Sequence, residues 1–279
     1  MPVSTLCSNN HRPHKTLPPP LPAMSASITP PFRLIAHRGA PMRAPENTLA
    51  SFRIAQQLGA TEIETDVQLT TDNVLVLCHD DTLTRYRLGD QRVEALPYEA
   101  AAFDTPLGEL DFGSWFSPAF AGERIATLPQ LLDAHAADFL FHIELKGAHP
   151  RLASETLALL KARRLLDRCV LTSFSIEQLQ RARAVSASVR LGWLVRTIDD
   201  PVLRAADKLA LFQICPLASA VTATPDAVAR ALQVVPDVRA WGCPREAAAA
   251  RATVSALQSA GCMGVTTDEL GWFSGSDSA

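Results

Sequence analysis

Along most of the chain, short apolar runs alternate with stretches in which apolar residues recur at helical spacing. The runs are Phe32 to Ala36, Thr61 to Leu69, Val74 to Cys78, Phe139 to Leu145, Cys169 to Ser173, Val189 to Val195, Leu209 to Cys215, Val238 to Trp241 and Cys262 to Thr266. Most lack a regular polar alternation, the pattern of strands buried on both faces. Helical periodicity occupies 47–58, 128–137, 150–164, 176–185, 201–208, 225–234 and 245–260. In the first of these Leu49, Phe52 and Ala55 share a face, Asn47 or Thr48 is placed to cap the start, and Gly59 ends it.

That makes nine strands, one more than a closed eight-stranded barrel uses. Only Thr70 to Asn73 separate the second from the third, whereas a parallel crossover needs a dozen or more residues, so these two form a hairpin turning at Asp72-Asn73. With the return strand set aside, strands and helices alternate, which predicts an α/β fold, a (β/α)8 TIM-type barrel with right-handed connections. Folding the hairpin back brings His79 opposite Glu64 or Asp66, according to register. Residues 82–126 have weak periodicity and many turn residues, and are expected to form a small insertion over the barrel mouth. A doubly wound open sheet is the alternative. Charged strand ends spread along the chain, instead of gathering at one switch point, favour the barrel.

At 279 residues and 47% hydrophobic, the chain suits one barrel of about 250 residues, expected over 32–273 with a short tail at 274–279. A net charge of −3 provides no general field for nucleic acid or an anionic membrane, so any anion must be held by a few placed groups. A small-molecule partner fits this balance, and oligomeric state is not readable. The six cysteines are scattered, without a C-x-x-C pair, which suits a reducing cytoplasm. Residues 1–31 are proline-rich and lack a secretory apolar region, so they are expected to be a disordered leader, with translation starting at Met24. No apolar run suits stable membrane insertion.

The chemistry is concentrated where strands run out. His37-Arg38-Gly39, Glu64-Thr65-Asp66, His79-Asp80 and Glu144-Leu145-Lys146 put charge at the carboxyl ends of apolar strands, and Pro45-Glu46-Asn47-Thr48 opens the first helix. Such charges are costly to desolvate unless they meet a metal, a counter-charge or a ligand. Glu64 and Asp66, two apart in a strand, share a face, and with Glu144 they form a trio that repels itself unless a divalent cation intervenes. Oxygen-only ligation favours Mg2+, Ca2+ or Mn2+ over zinc. The blander reading is two surface acids on a sheet edge and an ion pair from Glu144 to Lys146.

His37 and His79 are suited to general acid and base roles beside such a cation. Arg38 and Lys146 supply positive charge for a phosphate oxygen, or else neutralise Glu46, Asp66 or Glu144. Glu46 and Asn47 open their helix towards the mouth, where Glu46 orients Arg38 or touches the metal. Ser173-Phe174 and Trp241 stand at later strand ends and can shape a pocket. Of the other histidines, His11, His14, His135 and His149 receive no role, and His142 only a minor one, since it shares a face with Glu144.

The ordered set His-Arg-Gly, Pro-Glu-Asn-Thr, Glu-x-Asp, His-Asp and Glu-x-Lys resembles the glycerophosphodiester phosphodiesterase family, over about Ile35 to Asp268. The resemblance implies a metal-dependent (β/α) barrel that hydrolyses glycerophosphodiesters to sn-glycerol 3-phosphate and an alcohol. By position it makes His37 and His79 the acid and base pair, Glu64, Asp66 and Glu144 the ligands of Mg2+ or Ca2+, and Arg38 and Lys146 the phosphate holders. Where the family commonly carries Trp-Thr-Val-Asn, this chain has Trp241-Gly242-Cys243-Pro244, so the substrate wall near Trp241 differs. Two other functions share the pattern: a phospholipase D-like enzyme acting on lysophospholipid or sphingomyelin, and a non-catalytic sugar-phosphate-binding barrel.

Overall fold

The computed structural model describes residues 31–99 and 106–273, so the expected leader, the Met24 start and the tail lie outside the described residues. In chain order the elements are β1 Arg33–His37, α1 Leu49–Gln57, β2 Glu62–Leu69, β3 Leu75–Leu77, α2 Leu128–His135, β4 Leu140–Leu145, α3 Leu152–Ala162, β5 Cys169–Ser173 and α4 Ile176–Val185. They continue with β6 Leu191–Val195, α5 Asp200–Lys208, β7 Gln213–Pro216, α6 Ala218–Ala223, α7 Asp226–Ala231, β8 Asp237–Ala240, α8 Ala247–Ser259 and β9 Gly264–Thr267.

The strand order is β1-β9-β8-β7-β6-β5-β4-β2-β3, and a further pairing of β1 with β2 closes the ring. Every pairing within the ring is parallel; only β3 runs antiparallel, along the outer edge of β2. The strand outside the ring, β3, is therefore the return arm of the hairpin, as the short turn required. Its register pairs Val67 with Leu77 and Gln68 with Val76, and β3 stops before His79. Carried two residues further, that register sets His79 across from Thr65, between the two acids the sequence offered. Both faces of β2 are buried throughout, which is why its sequence reads without alternation.

Local chemistry explains the element ends. The Thr48 hydroxyl accepts the Ser51 N–H at the start of α1, and Thr127 with Gln130 forms a reciprocal capping box at α2. The sequence-predicted seventh strand began too early: Leu209 belongs to the end of α5, and Ala210 turns the chain at φ 48° before β7 starts at Gln213. Helix α6 has no counterpart in the sequence reading, because its small residues carry no apolar period. Residues 82–126 contain short 3-10 turns in their described parts, packed over Val76, Cys78, Leu83, Tyr86 and Phe112 as a small satellite core.

Inside the barrel, the end opposite the mouth is polar. Arg33 lies 2.5 Å from Asp237 and 3.8 Å from Glu62, His142 Nε2 meets Glu62 at 2.8 Å, and Gln213 donates to Asp237 at 2.6 Å. His142 is thus committed to this lower layer, and the minor site role expected for it is not supported by its position. Nearer the mouth Arg239, 1% exposed, donates to the Thr266 hydroxyl.

The turn after β1 passes close against Ser51 of α1. Gly39 has φ 91°, and a Cβ there would stand 2.4 Å from Ser51 Oγ and 2.7 Å from the Ser51 carbonyl carbon. Gly39→Ala is therefore expected to destabilise the fold by about 2–4 kcal/mol, read as a lower urea midpoint with unchanged slope. A midpoint within error of the native chain would show that the turn relaxes freely.

Candidate active site

Parallel register sets His37 beside Glu64 and Asp66 beside Glu144 at the carboxyl ends of β1, β2 and β4. Glu64, Asp66 and Glu144 each offer a carboxylate oxygen, and these atoms lie within 4.8 Å of one another. All three residues are buried, Asp66 completely, so Glu64 and Asp66 are not surface acids on a sheet edge, although the alternative reading's ion pair from Glu144 to Lys146 is present. Burial, together with the charges of Asp66 and Glu144, pushes the Glu64 carboxyl well above its ordinary range. Burial and Asp66 likewise lift Glu144 to about 7, against the opposing pull of Lys146. For Asp66 burial acts in the same upward sense, but Arg38, His79 and Lys146 outweigh it and hold the group at about 2.

Glu64 Oε2 and Asp66 Oδ1 are buried without a hydrogen-bond partner in the described structure. Orphaned acceptors of that kind are rare in folded proteins unless a ligand completes them. A compact donor set made only of carboxylate oxygens fits a hard divalent cation.

Arg38 sits at φ 53°, its N–H donating to the Glu64 carbonyl at 2.9 Å and its own carbonyl accepting from Asn47 N at 3.0 Å. Its side chain is clamped between two acids: Nε lies 3.0 Å from Asp66 Oδ2, and a terminal nitrogen donates to Glu46 Oε1 at 2.9 Å. Glu46 thus contacts Arg38, as the first of the two options read from the sequence expects, and is not among the three acids whose oxygens cluster. Asn47 is a strut beneath the trio, donating to Asp66 Oδ2 at 2.9 Å while its amide oxygen accepts from the Thr65 hydroxyl at 2.8 Å. Lys146 Nζ donates to Glu144 Oε1 at 3.1 Å and lies 5.6 Å from the Phe174 ring centroid.

Both imidazoles are anchored through Nδ1. His37 Nδ1 donates to Asp268 Oδ1 at 2.5 Å, leaving Nε2 at 3.8 Å from Glu64 Oε2, and His79 Nδ1 donates to Asp80 Oδ1 at 2.6 Å. Burial lowers the proton affinity of His79, while Asp66 and Asp80 work in the other direction. Each supporting carboxylate is held in turn by an arginine: Arg85 Nε reaches Asp80 Oδ2 at 2.9 Å, and Arg245 Nε donates to Asp268 Oδ2. Despite burial, the contacts from His37 and Arg245 keep Asp268 ionised, at about 2.

These groups border a cavity of about 430 Å³, with His37, Arg38, Glu64, His79, Glu144 and Lys146 at its polar end. Phe174, Leu194, Trp241, Cys243 and Arg245 form the other wall. The Phe174 and Trp241 rings meet edge to face at 5.2 Å, and Trp241 Nε1 donates to the Val195 carbonyl at 3.0 Å. Seven of the ten proposed site residues, His37, Arg38, Glu64, His79, Glu144, Lys146 and Trp241, border this cavity, while Asp66, Asn47 and Glu46 join it through contacts with Arg38 or with one another. Sequence reasoning gave no role to Asp80, Arg85, Arg245 or Asp268. Asp268 carried a readable signal, an acid just beyond a strand end; Arg85 lies in a single 3-10 turn and Arg245 in a loop, neither long enough to show a period.

The sequence profile of the glycerophosphoryl diester phosphodiesterase family matches residues 37–271. The Bacillus subtilis protein YhdW is 39% identical over 166 residues, covering 58% of this chain and 65% of that protein. The glycerophosphodiester phosphodiesterase of Caldanaerobacter subterraneus is 35% identical over 165 residues, with 58% and 65% covered. The chain thus spans slightly less than two thirds of these curated relatives. An Oleispira antarctica phosphodiesterase, solved in complex with the product sn-glycerol-3-phosphate, superposes with a TM-score of 0.75 at 27% identity, covering 88% of this chain and 97% of that one. The profile runs from the histidine at the end of β1 to just past the acid that supports it, and this chain belongs to the glycerophosphoryl diester phosphodiesterase family.

Proposed function

We propose that this chain hydrolyses glycerophosphodiesters to sn-glycerol 3-phosphate and an alcohol, in a site built from His37, His79, Arg38, Lys146 and the acidic trio. The observation that carries the reading is the meeting, in one cavity, of two carboxylate-anchored imidazoles with a cluster of buried acids whose oxygens lack partners. Glu64, Asp66 and Glu144 would hold a divalent cation, Mg2+ or Ca2+. When bound, that cation supplies a Lewis acid for the phosphoryl oxygens.

The chain's own residues account for the rest of the chemistry. Arg38, fixed by Asp66 and Glu46, and Lys146, fixed by Glu144, present preorganised positive charge to the phosphodiester. With Nδ1 spent on a carboxylate, each imidazole has only Nε2 available to the cavity. One takes the proton from the attacking hydroxyl or water, and the other gives a proton to the departing alkoxide. Asp268 and Asp80 keep the rings aimed and stabilise the imidazolium when it forms. Phe174 and Trp241 give the apolar faces of glycerol or the alcohol a wall and exclude water from that side.

A cavity of about 430 Å³ suits a small diester. No helix among the described residues is long and apolar enough to cross a membrane. The cysteines Cys78, Cys169, Cys215, Cys243 and Cys262 are all free thiols, which supports a reducing cytoplasmic setting. Purified full-length chain with added Mg2+ or Ca2+ is expected to release glycerol 3-phosphate from glycerophosphocholine, -ethanolamine, -glycerol and -inositol, at unequal rates. Release of phosphocholine in place of glycerol 3-phosphate, or turnover confined to lysophosphatidylcholine, would refute the assignment.

A further inference from the structure

Arg85 comes from the insertion, outside the ring of strands, yet it is the meeting point of two arms of the site. Its Nε is 2.9 Å from Asp80 Oδ2, and its two terminal nitrogens grip both oxygens of Glu46, one at 3.0 Å. Asp80 anchors His79, and Glu46 anchors Arg38. The guanidinium also lies against the Tyr86 and Trp115 rings, at 5.2 and 5.7 Å, and donates to the Tyr86 hydroxyl at 3.2 Å, so the satellite core fixes its plane.

We propose that Arg85 is a positioning residue through which the insertion sets, at once, the phosphate-holding arm at Arg38 and the proton-transfer arm at His79. This rests on the function proposed above. The argument is geometric. Glu46 is buried and shared by two arginines, so without Arg85 it keeps a single partner and a desolvated oxygen with none, and it can turn away from Arg38. Asp80 has Arg85 on the oxygen opposite His79, so without Arg85 the carboxylate is free to rotate, and the imidazole with it. A lysine cannot replace this: a point charge reaches one carboxylate, whereas the planar fork spans two.

The test uses the full chain with Arg85→Met, Arg85→Lys, Glu46→Gln, Asp80→Asn and the pair Arg85→Met/Asp80→Asn. Arg92→Met serves as control, since Arg92 is exposed in the same insertion and its guanidinium makes one 3.8 Å contact with the exposed Asp81. Native turnover of glycerophosphoethanolamine is measured first. Its absence sinks the proposed function; native turnover with indifferent Arg85 variants sinks only this inference. Arg85→Met is expected to lower kcat/KM about a hundredfold, and Arg85→Lys to recover less than about a tenth of that loss. Asp80→Asn should lower kcat at least tenfold in the native background, but only about threefold or less on top of Arg85→Met.

Calorimetry with inorganic phosphate separates the arms. Arg85→Met and Glu46→Gln should weaken phosphate about five- to tenfold, and Asp80→Asn should not. A purely structural role would leave the losses multiplicative and phosphate affinity unmoved, and either result overturns the proposal. Complete rescue by Arg85→Lys overturns it as well, and remains informative should Arg85→Met fail to fold.

Discussion

Alanine at His37 or at His79 is expected to lower kcat by about 10²- to 10⁴-fold, the range lost when a positioned acid or base is removed. KM should move by less than about threefold, because Arg38 and Lys146, the proposed phosphate holders, are fixed by Glu46, Asp66 and Glu144 and not by the imidazoles. Both rings are only partly buried, with side-chain exposures of 27% and 30%, so truncation leaves little cavity and the melting temperature should stay within a few degrees. The double variant should fall well short of the product of the two losses, since one proton transfer without the other leaves the step incomplete. A noncatalytic sugar-phosphate barrel would show no such loss. Steady-state kinetics on one glycerophosphodiester decides the matter: single variants retaining more than about a tenth of native kcat would remove the acid and base assignment.

The second large effect concerns the acidic trio. Chelation, or Glu144→Gln, is expected to lower turnover by at least about a thousandfold, because charge neutralisation at a phosphodiester is commonly worth several kcal/mol. The same cluster also gives stability a pH dependence whose direction is fixed. Glu144, with a folded value of about 7 against an ordinary 4.5, favours the fold most when protonated. That contribution is complete below about pH 4.5 and is lost as pH rises through 7, and Glu64 is shifted in the same direction. Asp66 behaves oppositely, its contribution being lost only as pH falls through about 2, outside the relevant window.

Cation-free protein should therefore melt at progressively lower temperature between pH 5 and 8, roughly the span over which Glu144 ionises. Added Mg2+ or Ca2+ should raise the melting temperature more at pH 8 than near pH 5, because protons and cation compete for the same oxygens. Scanning fluorimetry with chelator and with each ion reads both trends. A cation increment that is flat or shrinks with pH would show that the trio does not bind the ion through ionised carboxylates.

Much of this site could be read before any coordinates, for a physical reason. Charge at the end of an apolar strand is too costly to occur without a partner, so His37, Glu64, Asp66, His79, Glu144 and Lys146 announced one another. The hairpin was legible because Thr70 to Asn73 are too few for a crossover, and β3 does run antiparallel to β2. Less legible were groups that act through others. Arg85 lies in a short 3-10 turn and Arg245 in a loop, where neither period nor spacing says what a long side chain reaches. The lower barrel layer was invisible for a related reason: Arg33, Glu62 and Asp237 stand at strand starts, where a charge usually meets solvent, yet Glu62 and Asp237 are buried. Helix α6 and the start of β7 were misread because alanine-rich turns and an apolar helix end look alike in one dimension.

That lower layer has a consequence for the whole ring. Arg33 on β1, Glu62 on β2, His142 on β4, Gln213 on β7 and Asp237 on β8 interlock across the lumen. A purely oily lumen would tolerate one strand sliding past the next; here a slide of one residue turns every side chain inside out and strands an ion in a dry interior. The floor acts as a combination lock with a single accepted setting, and the stagger it enforces is carried up the staves to bring His37 level with Glu64, and Asp66 with Glu144.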